Sequence, residues 1–327
     1  MRSHPAILDR PPSYYALVMQ RRAFVGSVFA GLGITGLGAK PPRPKAGDLP
    51  MRVLGRTGQK LTVIGMGGAR FHLVPFDEGK AVTLRAYSLG INYFDMARAY
   101  WGGRAEEVYG AVLPPFRKHV FLTTKTGKRT RAEAEAELDL SLKTLNTDYV
   151  DLWQMHSVGE KGNGKEEIAR ILGPGGAMEA FEAAKKAGKC RFIGFTGHYD
   201  PEVNVELLRA AGDRFDTVLM PLYIADPLRR SFEGTALPVV RERGLGVLGM
   251  KIFANAFLLR QFSVSDCLRY TLSLPVTATP LGFCTQGQLE DDVRVAQRFT
   301  PLTPEDMAAL RKRAEGLNPT FEYWKRT

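Results

Sequence analysis

The chain has 327 residues and a mass of 36.2 kDa, enough for one large domain or two with a full hydrophobic core. Hydrophobic residues at 44% and charged residues at 24% exclude collagen-like, coiled-coil, polytopic membrane and wholly disordered proteins. The net charge of +11 suits ligands that carry phosphate, but no basic cluster is interleaved with aromatic residues, so no nucleic-acid partner is expected.

Residues 1–50 predict a twin-arginine export signal and a proline-rich linker. Arg21-Arg22 precedes an uncharged run of 17 residues, 23–39, with five glycines. This layout is typical of twin-arginine signals, and the run is shorter than the roughly 20 residues of a membrane span. We expect a periplasmic or otherwise exported protein that meets the export machinery and touches the membrane only in transit. The alternatives are an uncleaved membrane anchor and a chance arginine pair, and the second would leave the protein cytoplasmic. Met19, two residues before the arginine pair, is a possible start of translation.

One motif in this segment is rejected. Residues 31–36 spell GxGxxG, the dinucleotide-binding fingerprint. That fingerprint requires a strand before the glycines, a helix after them and an acidic residue about 20 positions on. Residues 31–36 lie inside the predicted export segment and no such unit surrounds them, so no Rossmann site is predicted.

From Met51 onwards, eight short apolar runs alternate with helical patterns. The predicted strands are Leu61–Gly65, Ile91–Asp95, Val120–Lys125, Tyr149–His156, Cys190–Thr196, Thr217–Met220, Gly246–Met250 and Thr277–Gly282. Eight strand–helix units in one domain, residues 51–327, predict a (β/α)8 TIM barrel. Residues 52–62 predict a β-hairpin cap on the barrel floor, 131–145 and 303–317 predict helices, and 159–176 predicts a glycine-rich loop.

Polar residues stand at the carboxyl ends of three of these strands. Asp95 ends strand two with Tyr100 in the following loop, Lys125 ends strand three and His156 ends strand four. Any one of them has an ordinary structural explanation, such as a helix cap or a hydrogen-bonded histidine. In a TIM barrel, however, the carboxyl ends of the strands share one rim, where active sites lie. The four residues therefore predict a catalytic site.

The motifs around these residues resemble the aldo-keto reductase family. The matching segments are residues 90–97 with Tyr100 and Glu106-Glu107, residues 141–145 and 148–152, and residues 188–194. The resemblance extends from about residue 51 to 317 and implies a TIM-barrel oxidoreductase that binds NAD or NADP without a Rossmann domain. NADP is slightly favoured over NAD, although Cys284 stands where many relatives carry a basic residue. The three cysteines, Cys190, Cys267 and Cys284, contain no CxxC pair, and no metal or iron–sulfur cluster is expected.

The resemblance assigns a catalytic tetrad to Asp95, Tyr100, Lys125 and His156. Tyr100 would donate the proton that a reduced carbonyl oxygen needs, and a neighbouring Lys125 cation would move the phenol pKa down from about 10. Asp95 would hold that cation, since an unpaired buried charge is costly. A neutral His156 would orient the substrate oxygen.

The resemblance also implies a set of cofactor contacts, some of which depart from the family pattern. They are Gly67, Thr196, Gly197, His198, Tyr223, Met250, Lys251, Gly282, Gln288, Asp291 and Asp292. Thr196-Gly197 replaces the common Ser-Asn pair, so the asparagine amide is lost, and His198 is either its substitute or a loop histidine. Tyr223 stands where the family has asparagine and would offer its ring to the nicotinamide.

These residues support two functional hypotheses. The first is an NAD(P)-dependent oxidoreductase that reduces an aldehyde, ketone or sugar carbonyl, or runs oxidatively on a sugar or polyol at the same site. The alternative is a cofactor-binding barrel with a sensing or regulatory role and little catalysis. The sequence does not identify the substrate or the oligomeric state.

Overall fold

A computed structural model describes residues 49–160 and 164–325. The predicted twin-arginine signal lies outside these residues. Within them the chain folds into the predicted barrel of eight parallel strands. These strands are β3 (Ile64–Gly67), β4 (Tyr93–Asp95), β5 (Phe121–Thr126), β6 (Val150–Val158), β7 (Cys190–Gly197), β8 (Thr217–Pro221), β9 (Gly246–Met250) and β10 (Thr279–Leu281). Neighbours in the sheet follow chain order from β3 to β9, and β10 returns to pair with β3.

The barrel closes between its seventh and eighth strands. The Gly249 N–H of β9 donates to the Ala278 carbonyl just before β10, at 2.9 Å. The same pair of segments is joined by a parallel bridge between Leu248 and Ala278. With this contact every barrel strand has two neighbours, which is what distinguishes a closed barrel from an open twisted sheet.

Ten α-helices are described. They are α1 (Phe76–Ser88), α2 (Arg104–Val112), α3 (Arg131–Leu145), α4 (Gly164–Leu172), α5 (Ala177–Lys186), α6 (Pro201–Ala211), α7 (Phe232–Glu242), α8 (Val264–Ser273), α9 (Gln286–Gln297) and α10 (Pro304–Ala314). The two predicted helices are confirmed as α3 and α10; Thr303 caps α10 by accepting from the Asp306 N–H. Across the described ranges, no helix is long and apolar enough to span a membrane.

The predicted hairpin caps the barrel floor. Strands β1 (Met51–Val53) and β2 (Lys60–Thr62) are antiparallel and turn at Gly58, whose φ of 70° favours glycine. Leu54 and Leu61 project into the barrel interior and pack in a cluster with Tyr93, Phe121, Leu152, Leu219 and Leu248. The floor is therefore sealed by apolar side chains.

Two sequence expectations are wrong in detail. The apolar run 61–65 is not one strand: β2 ends at Thr62, Val63 makes a bend, and β3 begins at Ile64. Residues 159–176 are not only a loop, because they contain α4. Ile168 and Ile171 bury one face of α4, but the flanking glycines dominate the local pattern and hide it.

Candidate active site

The alternation of side chains along β4, β5 and β6 brings the predicted strand-end residues inward. The inward positions at the floor are Tyr93, Phe121 and Leu152. Two or four residues further along, the same face carries Asp95, Lys125 and His156, since side chains of one face recur every second residue. The barrel is thus apolar at its floor and polar at its mouth.

Asp95 and Lys125 form a buried ion pair. The Lys125 Nζ lies 2.6 Å from Asp95 Oδ2 and also donates to the Met96 carbonyl at 2.7 Å. Both side chains are almost completely buried, with 1% of Lys125 and 5% of Asp95 exposed. Burial lowers the Lys125 pKa, but Asp95 and Tyr100 outweigh burial and leave that pKa above its ordinary value. Lys125 is therefore a cation held in place.

Three further side chains support the second oxygen of Asp95, and sequence reasoning missed them. Thr123 Oγ1 donates to Asp95 Oδ1 at 2.8 Å, and the Tyr93 hydroxyl and Gln154 Nε2 donate to the same oxygen at 3.3 Å. All three are inward residues of β4, β5 and β6. Side chains on one face of a strand recur every second residue, so the positions two residues before Asp95, Lys125 and His156 lie directly below the tetrad. The sequence could therefore have identified them.

Tyr100 lies beside this ion pair. It begins a 3-10 helix, Tyr100–Gly103, that follows β4. The Lys125 Nζ is 5.1 Å from the centre of its ring. Burial raises the Tyr100 pKa and Lys125 lowers it, and the net result is a pKa above the ordinary value. The sequence predicted a downward shift; Lys125 acts in that direction, but burial outweighs it.

His156 completes the group of four. Its ring meets the Tyr100 ring edge to face, with centroids 5.6 Å apart. Burial, then the charges of Lys125, Arg129 and Lys251, hold its pKa well below the usual range. The imidazole is therefore neutral at physiological pH, as the sequence predicted. The structure brings Asp95, Tyr100, Lys125 and His156 together at one mouth.

The predicted contacts after β7 lie next to this group. Thr196 Oγ1 accepts from the Ser157 N–H at 2.8 Å. His198 has its ring centre 5.9 Å from that of His156, and its Nδ1 is 3.3 Å from Ser157 Oγ. Burial, followed by the charge of Lys251, holds the His198 pKa well below its usual range. A second neutral imidazole therefore stands beside His156.

Gly197 is packed against an asparagine from α6. A Cβ at Gly197 would lie 1.9 Å from Asn204 Oδ1, so no side chain fits there without displacement. Asn204 is fully buried, and neither of its amide atoms has a hydrogen-bond partner among the described residues. The amide that Gly197 lacks is thus present nearby, on a different element.

Tyr223 does not present a ring face at the open mouth. It is fully buried, and its hydroxyl donates to Glu322. The Lys325 Nζ lies 5.1 Å from its ring centre and 2.8 Å from Asp226 Oδ1. The C-terminal segment, including Trp324, packs on the ring that was expected to face the nicotinamide.

The contacts predicted after β9 divide between interior and rim. Met250 is buried in the interior apolar cluster. Lys251 lies on the rim in a left-handed conformation, with φ 64°. Its Nζ is 5.1 Å from the Trp324 ring centre, so the C-terminal segment packs against one side of this half-buried cation.

The residues predicted to contact the cofactor near β10 and α9 differ in how exposed they are. Gly282 and Asp291 are exposed, and Asp291 pairs with Arg294. Gln288 Oε1 accepts from the Cys284 N–H at 2.9 Å. Asp292 is buried, only 1% exposed, and therefore faces the protein rather than the mouth. Gly67, the last residue of β3, is buried beside the Leu281 carbonyl.

The residues on this side of the mouth fit the dinucleotide that the resemblance implies. Arg70 crosses Gly282, where a Cβ would lie 2.5 Å from Arg70 Cγ, and donates to Asn255 Oδ1 at 2.6 Å. Lys251 adds a second cation in the loop that contains Asn255. Gly282 leads into α9, whose amino terminus carries partial positive charge. This donor set matches a diphosphate. No cluster of metal-ligating side chains occurs in the described part of the chain.

Comparisons with known proteins agree with this arrangement. Residues 63–266 match the model of the Aldo/keto reductase family. The chain is 28% identical over 226 residues to L-galactose dehydrogenase of Arabidopsis thaliana, covering 65% of this chain and 68% of the relative. It is 30% identical over 184 residues to L-glyceraldehyde 3-phosphate reductase of Escherichia coli, covering 50% of each.

A solved structure shares the fold. The holo form of aldo-keto reductase AKR11C1 from Bacillus halodurans superposes with a TM-score of 0.67 at 24% identity, covering 84% of this chain and 99% of that one. At this identity the likeness supports the barrel and its topology.

Proposed function

The chain belongs to the aldo/keto reductase family and is an oxidoreductase of that type, and we propose that it reduces an aldehyde, ketone or sugar carbonyl with NADPH or NADH. The observation that carries this proposal is the buried Lys125–Asp95 pair, 2.6 Å apart, with Tyr100 and His156 beside it at the barrel mouth. Burying two charges costs free energy that packing alone does not require. A catalytic use explains why the pair is there.

The bound dinucleotide would supply the hydride, and the chain supplies the proton and its control. Tyr100 is protonated at neutral pH, because a phenol has an ordinary pKa of about 10 and burial raises the pKa of Tyr100 further. When the phenol gives up its proton to the substrate oxygen, the Lys125 cation stabilises the phenolate. Asp95, with four donors on its two oxygens, fixes the position of that cation.

His156 would bind the substrate oxygen. A neutral imidazole has one N–H donor, which can hold the oxygen while negative charge develops on it. The lowered His156 pKa keeps this form across the physiological range. In the oxidative direction the same groups act in reverse, with the phenolate of Tyr100 taking the proton of a hydroxyl.

The names of two relatives favour sugar-like carbonyls among the possible substrates. One is a dehydrogenase of L-galactose and the other a reductase of L-glyceraldehyde 3-phosphate. The matches cover 68% and 50% of those proteins, so the substrate class is part of this proposal. The preference for NADP over NAD is also part of this proposal.

A second candidate is a cofactor-binding barrel with a sensing role. The observations that favour it are the glycine at position 197 and the C-terminal segment packed on Tyr223 and Lys251. Such a protein would bind the dinucleotide and turn over no carbonyl, whereas the reductase would do both.

Export is a further part of the proposal, supported by Arg21-Arg22 and the segment after it. Twin-arginine export carries folded proteins, so the dinucleotide would travel bound and leave slowly. Protein recovered from the periplasm and denatured should release dinucleotide, and its absence would count against this part.

The central experiment compares wild type with Tyr100→Phe on a panel of small carbonyls with NADPH and NADH. We expect the variant to bind cofactor normally and to lose activity by about 100-fold or more, the usual value of a general acid. Tyr149→Phe, at the floor end of β6, is the matched control and should retain activity. Activity kept in Tyr100→Phe would refute the acid assignment, and an inactive wild type that binds cofactor would favour the sensor.

A further inference from the structure

Trp101, the residue after the proposed proton donor, is held in a conformation that favours glycine. Its φ is 54° and its ψ 50°, and the next two residues, Gly102 and Gly103, have φ of 67° and 101°. A left-handed backbone costs free energy for a residue with a side chain. A strained backbone at a tryptophan is often associated with a function of its side chain.

The Trp101 ring is fixed from one side. It stacks on His72, with centroids 3.6 Å apart and an interplanar angle of 25°. Its Nε1–H donates to the Ala69 carbonyl at 3.3 Å, and His72 Nδ1 is 3.2 Å from the same oxygen. Because a carbonyl oxygen only accepts, the proton of His72 is assigned to Nδ1. One carbonyl oxygen thus anchors both rings.

His72 is neutral under physiological conditions. Burial, together with the charge of Arg70, lowers its pKa to about 4. A neutral ring stacks on the indole without bringing a charge to the mouth. The pair is therefore a rigid aromatic unit between the loop after β3 and the loop after β4.

Trp101 is nevertheless 47% exposed. The two other tryptophans, Trp153 and Trp324, are each only 1% exposed. An aromatic ring that is both held in place and accessible, one residue from Tyr100, offers a flat apolar surface to a bound molecule. The hydrogen-bonding rings of His156 and His198, with centres 5.9 Å apart, come from the ends of β6 and β7.

We propose that Trp101, backed by His72, is a stacking platform for a cyclic sugar that reacts in the oxidative direction, in which the anomeric carbon gives its hydride to the oxidised dinucleotide and the anomeric hydroxyl gives its proton to the Tyr100 phenolate. The C–H groups on one face of a sugar ring carry partial positive charge and are attracted by the negative face of the indole. The hydroxyls of such a substrate meet the two neutral imidazoles. This combination of one apolar face and several polar partners suits a sugar better than an aromatic aldehyde. The inference rests on the proposed function for the chemistry and adds the substrate class and the residue that selects it.

The first test uses fluorescence and needs no turnover. Trp101 is the accessible tryptophan, so acrylamide quenching of the protein reports mainly on this residue. Glucose, galactose and arabinose, added with oxidised cofactor, should include at least one sugar that protects the fluorescence. Trp101→Phe should abolish that change. If no cyclic aldose protects Trp101, the platform is refuted whatever the activity.

The second test separates binding from chemistry. In Trp101→Gly, which also relieves the backbone strain, we expect KM for the oxidation of cyclic aldoses by NADP or NAD to rise about tenfold with kcat little changed, the effect of losing one stacking contact. KM for methylglyoxal, which has no ring face, should stay within about twofold. Trp101→Phe should recover part of the loss, and His72→Ala should show an intermediate effect. Leu84→Ala, on the equally exposed Leu84 of α1, is the control and should be unchanged.

The remaining outcomes separate this inference from the reductase proposal. An equal loss on aldoses and methylglyoxal in Trp101→Gly would indicate a structural role and overturn the inference. A selective loss on benzaldehydes, with aldoses unaffected, would overturn the assignment to sugars. Protection of Trp101 by an aldose in a protein that turns over no substrate would support the platform while refuting the reductase.

Discussion

Replacing Lys125 by methionine tests how the charge at the mouth controls the proposed proton donor, Tyr100. Methionine keeps the length of the side chain and removes the cation, whose Nζ lies 5.1 Å from the Tyr100 ring centre. Coulomb's law gives about 3 kcal/mol for unit charges about 5 Å apart at an effective dielectric constant of about 20. Without this interaction the pKa of Tyr100, which burial already raises, moves further upward.

The loss should appear in the chemical step. About 3 kcal/mol corresponds to roughly 100-fold in rate, so we expect kcat/KM of Lys125→Met to fall by about 100-fold. The alkaline limb of the pH–rate profile should move to higher pH, because the phenol becomes harder to ionise. The assay is steady-state reduction of the best carbonyl from the panel at a series of pH values.

The same change also affects folding, and a control separates the two effects. Removing Lys125 leaves the Asp95 charge buried without its partner, which costs about 3–5 kcal/mol of unfolding free energy. The double variant Asp95→Asn/Lys125→Met removes both charges and should recover stability but not activity. Folded Lys125→Met with activity within about threefold of wild type, and an unshifted pH profile, would refute the electrostatic reasoning.

Two further predictions follow from burial at the mouth. His156 and His198 have lowered pKa values when folded, so below about pH 6.5 the unfolded chain binds protons that the folded protein excludes. The free energy of unfolding should therefore fall with decreasing pH by about 1.4 kcal/mol per pH unit for each histidine. Urea unfolding of wild type and of His156→Gln/His198→Gln at a series of pH values measures this fall. If the free energy of unfolding depends on pH equally in both proteins, the prediction is contradicted. Gly197→Asn should destabilise the fold by about 1–3 kcal/mol through its contact with Asn204. Adding Asn204→Ala should restore the melting temperature, and a melting temperature that Gly197→Asn leaves unchanged would show that the space is open.

The barrel could be predicted from the sequence because its strands are short apolar runs at regular intervals. The positions at which the chain changes direction were less well defined. The run 61–65 reads as one strand because all five residues are apolar or small, but Val63 bends there to pass from the hairpin to the barrel. Helix α4 was missed because its two buried isoleucines lie in a segment with many glycines, a composition that indicates a loop.

The four residues at the barrel mouth were easier to predict than the candidate cofactor contacts. Asp95, Lys125 and His156 come from strands whose alternation fixes the direction of each side chain. Tyr223 follows its strand in a loop, and what covers it depends on Glu322, about 100 positions away. No local pattern reports such a contact. The pairing of Trp101 with His72 is equally non-local, because it joins two loops.

The most direct test of the central claim is to follow the hydride. Wild-type protein, loaded with nicotinamide dinucleotide deuterated at the transferable position, is mixed with a carbonyl or aldose substrate under single-turnover conditions. We predict one deuterium on the former carbonyl carbon of the product, detected by mass spectrometry, and a rate that falls by about 100-fold or more in Tyr100→Phe. Tight binding of the dinucleotide without deuterium transfer to any substrate would contradict the account.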